Sequence, residues 1–317
     1  MISLLVLLAL GPAAAPATIV DRDPDARDVQ SVGQTLTWLR AQRLGEEFDV
    51  TLRFRRNGQI GTAPGLPGRY SAFVPEAYGD LGLDRRGRIV QVVGDSLGFL
   101  WVSGEPSSQQ EFWAYSVRTR QAQPVALPAV GPGCVVERMA MWLQRTVAAA
   151  NCGGDGVIFV DDGGAPMRAM TIAGIDRFAA VTAELDAAED GRGVSLAFTR
   201  CDEPATPGEG CSSTTGGADR HDAWLLRDRC APRLLARTTR RSRALDTPHV
   251  DGPRVYWLES RDGVASLRSR TLRRRCRVGR AKLARRIGRW ERHVSATVAG
   301  SHVYVARDGK GVRRSSL

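Results

Sequence analysis

Two short stretches carry residue types and spacings suited to chemistry: Gly94-Asp95-Ser96-Leu97-Gly98 and, far downstream, Asp246-Thr247-Pro248-His249. The first satisfies a G-x-S-x-G pattern, in which a sharp backbone turn exposes a serine hydroxyl. The second offers a carboxylate and an imidazole three residues apart. In acyl transfer a histidine takes the serine proton while a carboxylate orients the imidazole. Ser96 would then be the nucleophile, His249 the general base and Asp246 the orienting residue. An elbow of this kind needs a strand-to-helix turn above a parallel sheet. Ser96 is instead followed by Phe99-Leu100-Trp101-Val102-Ser103-Gly104, a β-prone run that ends in loop residues. The simpler reading is a hairpin turn in which Asp95 and Ser96 bond the local backbone.

The string Gly94 to Leu97, with the later D-x-x-H at Asp246 to His249, resembles the GDSL esterase/lipase family. The resemblance implies an alternative, an exported serine esterase on an α/β hydrolase fold. The family's G-x-N-D block is absent here, which leaves an oxyanion hole short of its usual Asn.

Other constellations point to structure. His221, His249, His293 and His302 never fall at i, i+2 or i, i+4 spacing, and Asp155, Asp161 and Asp162 lack the EF-hand spacing. No metal and no cofactor is expected. The six cysteines include no C-x-x-C pair, so disulfides are the expectation. Cys134 and Cys152 lie equidistant from Leu143, as two strands pairing antiparallel around a turn there would place them. Cys201 and Cys211 would clamp an insert, and Cys230 and Cys276 pair by elimination. The last two occupy similar places in neighbouring units, where Cα atoms must approach within about 7 Å.

Charge is unevenly spread. Of a net +11, residues 233–292 carry +14, from 19 Arg or Lys against 5 Asp or Glu. Arg268 to Arg292 alone holds 12 basic residues and one acid. Such a sector suits an anionic partner, with Arg273, Arg274, Arg275 and Arg277 as candidate contacts and a salt-dependent affinity. Acidic polysaccharide, phospholipid headgroups or another anionic cell-envelope component would fit. Aromatics for base stacking are sparse, with Trp290 alone in the densest stretch, which argues against nucleic acid. The chain has 43 Arg and 2 Lys, so arginine abundance also fits a compositional bias that leaves a merely solvated edge.

The elements that must position these residues are short strands. Asp251 to Thr271 is the clearest unit: β-prone runs Val255 to Leu258 and Val264 to Leu267 flank the turn-forming Arg261-Asp262-Gly263. Weaker copies recur. With Leu36, Ile89, Val147, Val194, Val255 and Val303 as equivalent inner strands, the spacings are 53, 58, 47, 61 and 48 residues. A period near 50 with about four strands per unit is what a β-propeller blade requires. The long fourth unit contains the loop-like insert Cys201 to Gly217. The sixth unit ends without a fourth strand, which Thr18 to Val20 could supply. The competing α/β reading rests on helix formers in Val136 to Val147 and Phe178 to Asp186. Trp38, Trp224 and Trp257 fall inside strands and read as core between units.

Ile2 to Leu10 is apolar and leads into an A-x-A-like site ending at Ala17, so residues 1–17 are expected to be a signal peptide and 18–317 a single domain. The stretch Asp80-Leu81-Gly82-Leu83-Asp84-Arg85-Arg86-Gly87-Arg88 resembles a turn found before inner strands in secreted bacterial propellers distantly similar to the TolB type. That resemblance implies an all-β, six-bladed β-propeller, exported to the cell envelope, periplasm or medium, that binds a protein or other ligand. A monomer is expected, with no membrane span after cleavage.

Overall fold

The computed structural model describes residues 17–32, 35–44, 47–63, 69–71, 87–93, 96–102, 110–116, 119–125, 129–142, 145–152, 155–161, 168–170, 182–189, 194–202, 220–227, 230–238, 243–289, 294–307 and 309–317. The apolar leader 2–16, Gly94, Asp95, Cys211 and Trp290 lie outside them. Every regular element among the described residues is a strand.

The first described strand is β1 (Thr18–Asp21), whose partner is the last described strand. Sheet I comprises β2 (Ala26–Val32), β3 (Thr35–Leu44), β4 (Glu47–Arg56) and β5 (Gln59–Ala63), with β6 (Arg69–Ser71) also pairing β4. Sheet II is β7 (Gly87–Val93), β8 (Ser96–Val102), β9 (Gln110–Ser116) and β10 (Gln121–Val125). Sheet III is β11 (Cys134–Trp142), β12 (Arg145–Cys152), β13 (Asp155–Val160) and β14 (Arg168–Met170). Sheet IV is β15 (Thr182–Glu189), β16 (Val194–Asp202), β17 (Arg220–Arg227) and β18 (Arg233–Thr238). Sheet V is β19 (Arg243–Asp251), β20 (Arg254–Arg261), β21 (Val264–Thr271) and β22 (Lys282–Arg289). Sheet VI is β23 (Val294–Ala299), β24 (His302–Arg307) and β25 (Gly311–Ser316), and β1 completes it by pairing antiparallel with β25.

Apart from β1 and β6, neighbouring strands within each sheet follow chain order, and all pairings are antiparallel. The first strands of successive sheets meet in sequence: β2 touches β7, β7 touches β11, β11 touches β15, β15 touches β19, β19 touches β23, and β23 touches β2. This arrangement explains why β20 and β23 lack the alternation of a half-exposed sheet. In β20 the residues Val255 and Trp257 enter a core with Leu225 and Leu235 of sheet IV. Tyr256 and Leu258, on the other face, join Val294, Ala296 and Val298 of sheet VI. A strand covered on both faces needs apolar residues at consecutive positions, which Val255-Tyr256-Trp257-Leu258 provides. Burial there is complete, with Trp257 at 1% and Leu258 at 0% exposure. The same logic joins sheets VI and I, where Tyr304, Ala306 and Val312 pack against Ala26, Val29, Leu36 and Trp38.

The turn between β20 and β21 has both central residues in the left-handed region, Asp262 at φ 50° and Gly263 at φ 76°. That is the tight two-residue connection whose twist matches paired strands.

The structure corrects several sequence expectations. Val136 to Trp142 and Thr182 to Asp186, which carry helix formers, lie in strands β11 and β15, so helix propensity yields to pairing with β12 and β16. The α/β alternative loses its elements. Five of the six landmark residues lie on the second strand of their sheets, outward of the innermost position; Ile89 alone lies on a first strand, β7. The position in sheet II equivalent to the other five landmarks is on β8, near Leu97. The Ile89-Val90-Gln91-Val92-Val93 run is as apolar as a second strand, which hides the slip.

The join between the chain's two ends is held by more than the strand ladder. Asp21 accepts hydrogen bonds from Trp38 Nε1 at 2.9 Å and Arg53 Nη1 at 2.8 Å. Asp23 pairs with Arg40 Nε at 2.7 Å, and Gly309 N donates to the Pro24 carbonyl at 2.9 Å. Gly311, at φ 67°, lies so close to β1 that a Cβ there would fall 2.2 Å from the Asp21 carbonyl oxygen. Only glycine accommodates both that conformation and that approach.

Candidate anion-binding face

The three residues of the acyl-transfer expectation are not brought together. Ser96 heads β8, inside an antiparallel sheet and paired with Val93 and Ser116, so strand follows it where an elbow requires helix. Asp246 and His249 both lie on β19, the first strand of sheet V, and β19 packs against sheets IV and VI while β8 packs within sheet II and on β11. His249 is buried, 8% exposed, and its Nε2 lies 2.7 Å from the Val298 carbonyl oxygen. A carbonyl can only accept, so Nε2 carries the proton and donates it. The Ser31 hydroxyl, 3.4 Å from the same nitrogen, instead donates to Val298 O at 2.9 Å and also contacts Thr297 Oγ1 at 2.7 Å. His249 therefore satisfies buried polar groups where the first strands of sheets I, V and VI converge. It is not a base poised over a serine.

The cysteines place the basic residues. Cys134 and Cys152 face each other across β11 and β12, joined as a disulfide with Cα atoms 4.1 Å apart. Cys230 and Cys276 are also bonded, at a Cα separation of 5.5 Å. This second bridge ties the β17–β18 connection of sheet IV to the β21–β22 connection of sheet V. Cys201 lies on β16, and its expected partner Cys211 falls outside the described residues.

Arg273, Arg274, Arg275 and Arg277 occupy the connection so anchored, and all four are exposed. The loop is built, not slack. Arg273 N donates to the Arg277 carbonyl at 2.8 Å, Leu272 bridges Val278, and Arg275 and Cys276 adopt left-handed conformations at φ 54° and 58°. Arg227 Nη1 of sheet IV donates to the Arg273 carbonyl at 2.9 Å. Buried Leu272 plugs the loop into the core between sheets IV and V. The chain thus holds four guanidinium groups at the surface by their backbone, leaving the side chains to solvent or a partner.

Several arginines elsewhere are matched by acids. Arg237 grips Asp222 with two bonds of 2.7 and 3.0 Å, and that hydrogen bonding holds the Arg237 guanidinium above its usual pKa. Arg268 pairs with Glu259 at 3.0 Å. Among the described residues, no carboxylate lies within ion-pair reach of Arg273, Arg274, Arg275 or Arg277. The adjacent outer strand β22 adds Lys282, Arg285, Arg286 and Arg289 to the same sector.

Sequence reasoning ended the basic sector at Arg292 and so missed Arg307, Lys310 and Arg313. These residues, from the end of β24, the following turn and β25, line a cleft against β22. The available signal was the unpaired fourth position of the last unit. It implied that the final strands abut the preceding sheet.

No protein-family signature and no curated protein matches the chain. Among solved structures, it is similar to a puromycin-hydrolyzing peptidase of Mycobacterium tuberculosis, at 12% identity and a TM-score of 0.47, over 92% of this chain and 46% of that one. The β-propeller domain of the Trilobed protease from Pyrococcus furiosus matches at 7% identity and a TM-score of 0.45, over 96% of this chain and 91% of the domain. An acylaminoacyl peptidase of Pyrococcus horikoshii matches at 11% identity and a TM-score of 0.39, over 89% and 43%. The chain spans about half the length of the whole peptidases.

Proposed function

We propose that the six sheets are the blades of a closed six-bladed β-propeller, exported from the cell, which serves as a binding or scaffold module for an anionic partner. The cyclic contact of the six first strands and the pairing of β1 with β25 support closure. The resemblance of Asp80 to Arg88 to turns of TolB-type propellers points the same way. Two disulfides favour an oxidising compartment, and no helix among the described residues is long and apolar enough to cross a membrane. The observation that carries the binding reading is the Arg273 to Arg277 loop, clamped by Cys230–Cys276 and facing solvent without a matching acid among the described residues. A loop whose backbone is already fixed presents its guanidinium groups to sulfate, phosphate or carboxylate without a further cost of backbone ordering.

The test is retention on immobilised heparin across a salt gradient. Wild type should elute at clearly higher salt than the Arg273→Gln, Arg274→Gln, Arg275→Gln triple variant, because each lost contact lowers the salt dependence of binding. Equal elution of the two would remove the proposed face.

A further inference from the structure

A cleft of about 170 Å³ opens between β22 of sheet V and the last two strands of the chain. Arg285 and Arg286 of β22 line one side; Arg307, Lys310, Arg313 and Ser315 line the other, and no carboxylate among the described residues belongs to the lining. Five cations from two sheets thus converge on one small space. Two of them are fixed from behind by backbone carbonyls: Arg285 Nη1 donates to Ser316 O, and Arg307 Nη2 donates to Ile287 O. A guanidinium carries five N–H donors in a planar fork, so one such bond sets the plane and leaves most of the fork for a ligand.

The acceptor for Arg307 exists because β22 is irregular. Ala265 pairs with Gly288 and Ser266 with Arg286, so Ile287 is an extra residue bulged out of the ladder. Gly288, at φ 117°, stands where a Cβ would lie 2.8 Å from Arg307 Nη2. Bulge and glycine together let the Arg307 side chain cross the edge of sheet V. Charges on an outer strand are explained by protection against edge-to-edge pairing. That reason does not account for Arg307 and Arg313 reaching the same space from another sheet, nor for the bulge that orients one of them.

We propose that this cleft binds a tetrahedral oxyanion, the phosphate or sulfate group of a larger ligand. Its volume is below the about 300–1,000 Å³ of sites for drug-sized molecules and suits one such group with its water. Forked guanidinium donors match the oxygens of that group in pairs. The inference deepens the anionic-partner reading and rests on it for the class of ligand.

Titration calorimetry with inorganic phosphate and with sulfate, at constant ionic strength in chloride, tests it. Wild type should bind one ion saturably, and the tighter of the two identifies phosphorylated or sulfated ligands as the source. Arg285→Gln with Arg307→Gln should weaken binding about tenfold or more, the loss expected for charged hydrogen bonds. If that double variant does not fold, Arg313→Gln at the exposed rim should weaken binding in the same direction. The Arg273→Gln, Arg274→Gln, Arg275→Gln variant should bind phosphate as wild type does, even as its heparin retention falls. Absence of saturable binding at millimolar phosphate and sulfate, or unchanged affinity in the cleft variants, overturns the site. Arginine-dependent heparin retention would then still stand, so the two failures are distinguishable.

Discussion

Consecutive buried side chains on β20 face different sheets, so single substitutions there report on two interfaces. Trp257 belongs to the core shared with sheet IV and Tyr256 to the core shared with sheet VI. Trp257→Ala should destabilise by about 3–5 kcal/mol in denaturant unfolding, as removal of a fully buried large aromatic does. Burial also pushes the Tyr256 phenol above its usual pKa, outweighing the lowering effect of Arg254. The folded state therefore favours the neutral phenol. The stability this gives is complete below about pH 10 and falls as pH rises through the folded pKa. Tyr256→Phe should flatten that alkaline loss in chemical denaturation followed across pH 9 to 12, and an unchanged slope would count against the burial. At this scale the sequence was a good guide to packing and a poor one to chemistry. Trp257 read correctly as core from its place in a β-prone run. Ser96, Asp246 and His249 made a pattern that the β-prone run after Ser96 already weighed against, since short motifs do not encode which sheets their residues join.

At the scale of elements, the β21–β22 connection is the part most constrained by covalent chemistry. The Cys230–Cys276 bridge closes a segment with a sequence separation of 46. Loop-closure entropy for that length is worth about 4 kcal/mol. Cys230→Ser with Cys276→Ser should lower stability by an amount of that order. It should also lower heparin retention, since the guanidinium groups would then be presented by an unanchored loop. A variant that keeps full retention would show that anchoring is irrelevant to binding. The hairpin of β20 and β21 was legible because Asp262-Gly263 selects one turn type and both flanking runs are β-prone. The second unit was misplaced by one strand because β7 and β8 carry similar apolar runs, and only the pairing of Ile89 with Phe99 distinguishes first from second position. The helix formers of β11 and β15 misled for a related reason: propensity is weaker than the antiparallel ladder each forms with the next strand. The Arg285, Arg307 and Arg313 cleft was not legible at all, because it depends on an irregularity in β22 and on the approach of strands from the next sheet.

On the scale of the whole molecule, the join between β1 and β25 decides where everything else sits. It holds sheet VI between sheets I and V, buries Tyr304 and Val312 against Trp38, and sets β25 beside the basic edge of sheet V. Gly311→Ala would drive a Cβ into the Asp21 carbonyl and should destabilise by about 2 kcal/mol or more, from the clash and the left-handed backbone together. Strand order made such a join foreseeable, since the last unit lacked a fourth strand and Thr18 to Val20 was β-prone. Register and latch were not foreseeable, because the contacts of Asp21 with Trp38 and Arg53 bring together residues of three different strands. The join can be trapped directly. Thr18 pairs with Arg314, and antiparallel partners lie within bridging distance, so Thr18→Cys with Arg314→Cys should form a disulfide on mild oxidation. A protease site inserted among residues 103–109 then separates an N-terminal fragment that holds no native cysteine. In a non-reducing denaturing gel the two fragments should migrate together and separate only when reductant is added. Release of the N-terminal fragment without reductant would contradict the closed arrangement.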